Sequence, residues 1–316
     1  LMPRFLITGG AGFIGSHLVE RVCGMGAPVR VVDDFSTGNR ANLAPFLDKI
    51  EFIEGDLADA AICARACRGV DFVWHHAALP SVPKSVADPA ATHRANIPGT
   101  FNILVAARDA GVRRFIYAAS SSAYGDTPTL PKVETMPTRP LSPYAVQKLT
   151  GEYYCEVFWR CYGLQTLSLR YFNVFGPRQD PMSQYAAAIP AFVTAILHGR
   201  PPTIYGDGEQ TRDFTYIDNV VEANLLATQV RETHGEVINV ACGERVTVNA
   251  IIRRINDLLG KDVKPDYIEP RAGDIKHSWA DIRRAAELIG YRPAVGFADG
   301  LRRAIDWYAA NASAEG

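Results

Sequence analysis

The chain has 316 residues, 47% of them hydrophobic, and 33 lysines and arginines stand against 34 aspartates and glutamates, a net charge of −1. That length buries a large core in one big or two interleaved domains, and the even charge argues against nucleic acid or an anionic membrane as partner, leaving small ligands. The six cysteines (Cys23, Cys63, Cys67, Cys155, Cys161 and Cys242) form no C-x-x-C pair and sit mostly in apolar or helical patterns, so buried reduced thiols are expected rather than a disulfide framework or a metal site.

The first residues run into a strand without a basic leader or cleavage site, and no apolar run approaches the ~20 residues of a membrane span. A cytoplasmic location with no membrane contact is expected. In chain order, strand-like runs alternate with helical patterns: RFLIT, a helix from Phe13 to Met25, PVRVVDD, KIEFIEGD, a helix from Ala60 to Cys67, VDFVWHHAA, a helix from Thr92 to Ala110, RRFIYAASS, a helix from Pro143 to Tyr162, and QTLSLRYFN. The strands lack polar alternation, as expected where helices cover both faces of a parallel sheet. The fold class is therefore α/β: a Rossmann-like, doubly wound parallel sheet with a smaller α+β portion. Gly26, Gly111 and Gly163 stand just past three helices, at positions where a left-handed C-terminal residue is favoured. After Asn173 loop formers dominate, and the expected division is a dinucleotide-binding domain over 1–173, also receiving about 214–243, and a substrate domain over 174–213 and 244–316.

The stretch FLITGGAGFIGSH reads either as Gly10-x-Gly12-x-x-Gly15 or as Gly9-x-x-Gly12-x-x-Gly15. In both registers a strand turns sharply into a helix whose amides and positive dipole end can face a pyrophosphate. Asp33, 18 residues after Gly15 and at the end of VRVVDD, strengthens the reading, because an acid there accepts hydrogen bonds from a ribose 2′-hydroxyl and repels a 2′-phosphate. NAD is favoured over NADP; Arg40 argues the other way. In SPYAVQK, Tyr144 and Lys148 lie four apart at a helix start and project from one face. A tyrosine ordinarily titrates near ~10, and a neighbouring ammonium and a positive nicotinamide ring would both lower it towards a working base. The strand RRFIYAAS brings Ser120, Ser121 and Ser122 to its carboxyl end, where parallel sheets place ligands.

Together, TGGAGFIGSH, Asp33, GDL at Asp56, HHAA at His75 to Ala78, the serine run, Y-x-x-x-K and RYFNVFGP resemble the extended short-chain dehydrogenase/reductases that act on nucleotide sugars, over nearly the whole chain. Within them the chain looks most like the UDP-hexose 4-epimerases, above all bacterial UDP-N-acetylglucosamine 4-epimerases. The resemblance implies a tightly bound NAD held by Gly9, Gly12, Phe13, Ile14 and Gly15 at the pyrophosphate, Asp33 at the adenosine ribose, Asp56 and Leu57 at the adenine, and Ala77 and Asn96 beside the nicotinamide half. It implies Tyr144 as base, Lys148 on the nicotinamide ribose and Ser120 on the sugar oxygen, with Asn173, Tyr205, Arg212, Arg271 and Asp274 gripping UDP. Two arginines suit a diphosphate and an aromatic suits uracil on chemical grounds as well.

Relatives that dehydrate or decarboxylate the sugar resemble one another in carrying Thr-Asp-Glu or Thr-Ser-Glu where this chain has Ser120-Ser121-Ser122, so an acid for further proton transfer is lacking. Reversible oxidation at C4 remains, with Ser121 and Ser122 lining a loose hexose cavity beside Ala78 and Pro80. Ser278, in KHSWAD, stands where glucose/galactose enzymes look alike in having tyrosine, which implies room for a 2-acetamido group; PSVPKS from Pro80 resembles the same N-acetyl-accepting subgroup. The expected substrates are UDP-GlcNAc and UDP-GalNAc, with UDP-Glc and UDP-Gal also considered. The alternatives are a UDP-glucuronate 4-epimerase, a nucleotide-sugar 4,6-dehydratase and a non-catalytic NAD-binding sensor. His75 and His76 are expected as core or loop histidines rather than metal ligands, since adjacent strand residues face opposite ways. The apolar surface of the Pro143–Tyr162 helix, at Tyr153, Tyr154, Val157, Phe158 and Trp159, exceeds one face; the resemblance implies a homodimer through it and the preceding helix around Ile103 to Ala107.

Overall fold

The apolar runs become β1 (Phe5–Thr8), β2 (Val29–Asp33), β3 (Ile50–Glu54), β4 (Phe72–His75), β5 (Arg114–Ser120) and β6 (Thr166–Tyr171). They are seen in a computed structural model that describes residues 2–181, 188–270 and 276–312. Short strands follow: β7 (Val174–Phe175), β8 (Thr203–Tyr205), β9 (Thr211–Arg212), β10 (Thr215–Tyr216), then β11 (Glu236–Val240), β12 (Val246–Thr247) and β13 (Asp266–Ile268). The main sheet runs β11-β6-β5-β4-β1-β2-β3, and all its pairings are parallel. Strand order reverses between β1 and β4, which opens a crevice at their carboxyl ends. The remaining strands pair as β7 with β10, β9 with β12 and β8 with β13.

The helices are α1 (Phe13–Gly24), α2 (Ala60–Cys67), α3 (Val82–Ala87), α4 (Pro89–Asn96), α5 (Pro98–Asp109), α6 (Pro143–Tyr162), α7 (Ala188–Leu197), α8 (Ile217–Gln229), α9 (Val248–Leu259), α10 (Arg283–Ile289) and α11 (Phe297–Ala312). None is long and apolar enough to cross a membrane among the described residues. The lack of polar alternation has its cause in two cores. Phe5 and Ile7 face one core with Leu18, Val31 and Ile116, whereas Leu6 faces the other with Val73, Ile103 and Phe115. Each such side chain contributes about 1.5–3 kcal/mol on burial. At the amino edge of the sheet two buried arginines close helix ends: Arg30 donates to Ala66 O and Arg68 O at 2.7 Å at the end of α2, and Arg114 to Thr228 O at 2.8 Å and Val230 O at 2.7 Å at the end of α8. They satisfy carbonyls that a helix C-terminus leaves without partners.

Several expectations need correction. The helix read as Thr92 to Ala110 is broken at Ile97, because Pro98 lacks an amide proton and starts α5 as its first residue. PSVPKS contains α3, capped by Ser81 Oγ accepting from Lys84 N at 3.1 Å. Ile103, Leu104, Ala106 and Ala107 are buried in the chain's own core, as is Phe158, so the outward residues are Phe101, Val146, Tyr153 and Val157. Cys161 is exposed, although the thiols of Cys63, Cys67 and Cys155 are buried. Gly26, Gly111 and Gly163 do adopt positive φ, at 70°, 67° and 72°.

Candidate functional site

β1 ends at Thr8 and the chain turns at Gly9, whose φ of 69° suits glycine. A Cβ on Gly9 would stand 2.7 Å from Ala77 N, and one on Gly15 would overlap Gly9 O, so the turn, the end of β4 and α1 meet backbone to backbone. Gly12 is the N-cap of α1, with no side-chain cap and no acid in the first turn, and it faces a cavity. The two registers of the glycine motif thus describe one turn: Gly9 and Gly15 serve close packing, and Gly12 leaves the helix amides open.

That cavity, about 360 Å3, runs from Asp33, Asp56 and Leu57 past Gly12, Phe13 and Ile14 to Ala77, Pro80, Tyr144 and Lys148. An acid at one end, helix amides in the middle and a phenol with an ammonium at the other fit a dinucleotide. Asp33 is 7% exposed; its Oδ2 accepts from Ala11 N and its Oδ1 from Phe35 N, both at 2.8 Å. Burial raises its pKa, and these amides oppose that shift. Each oxygen keeps a further lone pair for a ribose hydroxyl. Arg40, the cation that could have favoured a 2′-phosphate, donates to both oxygens of Glu54 at 2.8 and 2.7 Å and lies 3.9 Å above the Phe35 ring. Asp56 accepts from Ala58 N and Arg94, both at 2.8 Å. Asn96 does not line the cavity. Its amide is turned inward, accepting from Leu79 N at 2.8 Å and donating to Gln147 Oε1 at 2.7 Å, and Ala95 stands at the wall instead.

At the reactive end, Ser142 Oγ caps α6 and Ser85 Oγ accepts from Tyr144 N at 3.1 Å, which fixes the first turn. Tyr144 and Lys148 both face the cavity, as their spacing predicts. The Lys148 ammonium does not offset the burial of the phenol. Burial pushes the Tyr144 hydroxyl up, and the opposing influence comes from the neighbouring Ser120 hydroxyl. Lys148 Nζ instead donates to Ala118 O at 2.8 Å, and burial pushes its pKa down to about 8. The neutral phenol is favoured because both groups are dry. One turn further on, Glu152 meets Arg170 through two bonds of 2.9 and 2.7 Å, with side chains 3% and 4% exposed. That bidentate contact favours the Glu152 carboxylate against burial, which pushes its pKa up.

Ser120, Ser121 and Ser122 sit beside the cavity rather than on its wall. Ser121 opens the 3-10 turn Ser121–Tyr124, and Ser122 Oγ donates to Ser120 Oγ at 2.8 Å, so the run is partly bonded to itself. Ala78 and Pro80 do line it. A second cavity of about 600 Å3 adjoins through Val174 and is lined by Asn173, Tyr205 and Arg212. Asn173 Nδ2 donates to Asp213 O at 2.9 Å, and Arg212 Nη1 donates to Thr211 O and Lys276 O at 3.0 Å. Ser278 lines neither cavity; its amide donates to Thr211 O at 3.0 Å, beside the strand that carries Arg212. Arg271 and Asp274 lie outside the described residues.

The two histidines divide as adjacent strand residues should. His75 is buried between Thr8 Oγ1 at 2.7 Å and Thr100 Oγ1 at 2.9 Å, and burial holds it well below the usual histidine range. His76 faces the cavity and meets Tyr171 OH at 2.9 Å. Tyr171 and Gln179 also line the cavity, and sequence reasoning gave them no role. Tyr171 could have been found as the last residue of a strand reaching the crevice. Gln179, in the loop GPRQDP, gave no periodic signal.

A sequence model of the NAD dependent epimerase/dehydratase family matches residues 5–241. The UDP-glucose 4-epimerase of Mycolicibacterium smegmatis is 37% identical over 309 residues, covering 96% of this chain and 98% of its own. Among solved structures, the UDP-N-acetylglucosamine 4-epimerase of Methanobrevibacter ruminantium M1, in complex with UDP-N-acetylmuramic acid, is 40% identical, with a TM-score of 0.94 and coverage of 98% of this chain and 99% of that one. A mutant of the UDP-glucuronic acid 4-epimerase of Bacillus cereus, in complex with UDP-4-deoxy-4-fluoro-glucuronic acid and NAD, is 33% identical, with a TM-score of 0.90 and coverage of 96% and 98%.

Proposed function

The chain belongs to the NAD dependent epimerase/dehydratase family, and from that membership we propose that it is a UDP-sugar 4-epimerase acting on UDP-GlcNAc and UDP-GalNAc. The observation that carries the reading is the meeting of Tyr144 and Lys148 at the far end of the cavity that starts at Asp33, next to a second cavity holding Arg212. NAD, when bound, would supply the two-electron acceptor for the hydride at C4. Tyr144 takes the C4 hydroxyl proton and later returns it. Ser120 orients the phenol and the sugar oxygen, and Lys148 adds positive charge that favours the phenolate. Asn173, Tyr205, Arg212, Arg271 and Asp274 hold the UDP portion so that the 4-keto hexose, weakly held, turns over before hydride returns. Ser121 and Ser122 offer no carboxyl group, so the sugar is neither dehydrated nor decarboxylated.

In this reading residues 1–173 with about 214–243 bind NAD, and 174–213 with 244–316 bind the UDP-sugar. The acetamido preference is supported by the 40% identity to an enzyme named for UDP-N-acetylglucosamine and by the small residue at Ser278, which lines neither cavity but sits beside the strand that carries Arg212. The protein acts as a homodimer, pairing the outward stripe Val146, Tyr153 and Val157 with Phe101, which are 40–55% exposed. The test is incubation with UDP-GlcNAc, UDP-Glc and UDP-GlcA separately, without added reductant, and chromatography of the C4 epimers. UDP-GalNAc from UDP-GlcNAc is expected. Epimerisation of UDP-GlcA alone would give the uronate reading instead, and a 4-keto-6-deoxy product would make it a dehydratase. Ser278→Tyr should remove acetylated activity at least about tenfold more than activity on UDP-Glc; equal losses would discard the assigned role of Ser278.

A further inference from the structure

Asp213 follows Arg212 in EQTRDFTYID and is fully buried, at 0% exposure, without a cationic partner in direct contact among the described residues. Among the described residues its carboxylate is held by backbone amides. Oδ1 accepts from Cys242 N at 3.0 Å, and Oδ2 accepts from Gly243 N at 3.0 Å and Ala280 N at 3.1 Å. Glu244 N contributes as well. The residues that supply these amides lead directly into the two segments flanking Arg212. The turn at 242–244 enters β12, where Val246 pairs with Arg212, and Ala280 ends the stretch in which Lys276 O accepts from Arg212 Nη1 and Ser278 N donates to Thr211 O. The backbone carbonyl of Asp213 meanwhile accepts from Asn173 Nδ2.

We propose that Asp213 is a positioning residue for the nucleotide-sugar grip: its buried carboxylate ties together the segments on either side of Arg212, and loss of that charge loosens the grip while leaving the dinucleotide cavity intact. The proposal rests on the UDP-sugar reading above. Protonating the carboxyl would turn one acceptor oxygen into a donor facing backbone N–H groups. Burial pushes this carboxyl up to about 6, so the change falls within reach of ordinary buffers.

The other groups facing it are separable. Burial pushes the Cys242 thiol up to about 12 and holds the Tyr291 phenol well above its usual range, so both stay neutral near pH 6. The Glu244 carboxyl stands beside Cys242, and Asn219, which does not titrate, touches Cys242 Sγ. Lys276 pairs with Asp207 at 3.7 Å. His277 Nδ1 meets Thr211 Oγ1 at 2.9 Å, so His277 and Glu244 each receive a control.

The experiment is calorimetric titration of UDP-GlcNAc, whose pyrophosphate does not titrate in this range, into the NAD-loaded Tyr144→Phe protein between pH 7.5 and 5. Removing the phenol stops turnover and its titration. Kd is expected to rise about tenfold on acidification, the ratio set by a group titrating about one unit above the lowest pH. The same rise is expected after His277→Gln and after Glu244→Gln. With Asp213→Asn added, Kd should be at least about tenfold weaker at pH 7.5 and flat below it, with the NAD content of the purified protein unchanged. A flat profile in the parent, a rise abolished by His277→Gln or Glu244→Gln, or tight binding by Asp213→Asn would each overturn the assignment to Asp213. Should Asp213→Asn not fold, the parent and control profiles decide alone. Absence of UDP-GlcNAc binding at every pH would overturn the substrate reading and this inference with it.

Discussion

Around the dinucleotide cavity, the walls are strand ends and the first turns of the helices that follow them: Gly9 and Gly12 after β1, Asp33 at the end of β2, Asp56 after β3, Ala77 after β4. Around Arg212, the walls come from β8, the stretch at Asn173 and Val174, and residues of α7, elements separated by long connections and held by strands of two or three residues. The first kind of site inherits its geometry from the sheet. The second has to be tied together locally, which is where the amides around Asp213 enter. A pocket on a sheet edge is therefore robust to its side chains and sensitive to its glycines, and an assembled pocket has the opposite weakness.

The strongest way to separate the two is Tyr144→Phe. Turnover measured as epimer formation should fall by about 10²–10⁴, while NAD and UDP-sugar are both retained; loss of either ligand would mean that the phenol belongs to one half rather than to the junction. Gly15→Ala comes next. Its methyl would overlap Gly9 O, so thermal unfolding should show a loss of about 1–3 kcal/mol and the purified protein should carry little NAD. Wild-type stability with this substitution would break the argument for backbone contact.

A smaller effect is expected from pH. Lys148 is pushed down to about 8 in the fold, whereas an unfolded lysine holds its proton to ~10.4. Between those values the unfolded chain binds more protons, so this group adds stability as pH rises and withdraws it as pH falls through 8. Activity should therefore decline above about pH 8 without a fall in melting temperature from this residue; Lys148→Met should remove that limb from the residual activity. The smallest effect should be that of Arg40→Ala. The guanidinium is exposed and engaged with Glu54, so NAD affinity should change by less than about fivefold, and NADP should not be gained or lost as a ligand.

The parts legible from sequence share a cause. Strands buried on both faces leave uninterrupted apolar runs, a strand-to-helix turn pressed against backbone demands glycine, and a pair four apart on a helix must share a face. Those constraints are local, and they located six of the seven strands of the main sheet and the glycine turn, and they put Asp33 and Tyr144 with Lys148 at the ends of one cavity. What the sequence leaves undecided depends on three-dimensional context. Asn96 lies on α4 one residue from Ala95, and only the packing of Leu79 and Gln147 decides which of the two reaches the cavity. The phenol of Tyr144 is expected to be lowered by Lys148 together with a positive nicotinamide ring; in the fold Nζ meets the Ala118 carbonyl and burial pushes the phenol up. Strands such as β7, β9, β10 and β12, two residues each, are too short for an alternation pattern to register.

The guanidinium groups of Arg30 and Arg114 give the sheet a direction in its electrostatics. At its amino edge, exposed carbonyl dipoles of α2 and α8 are answered from within by permanent cations, so that edge has little appetite for foreign charge. At the opposite edge, α1 begins on Gly12 with neither a hydroxyl nor a carboxyl side chain to quiet its amides. The molecule has thus quenched one pole and left the other unquenched, and an oxyanion drifting past would be drawn to the same margin of the sheet where the Tyr144 phenol lies.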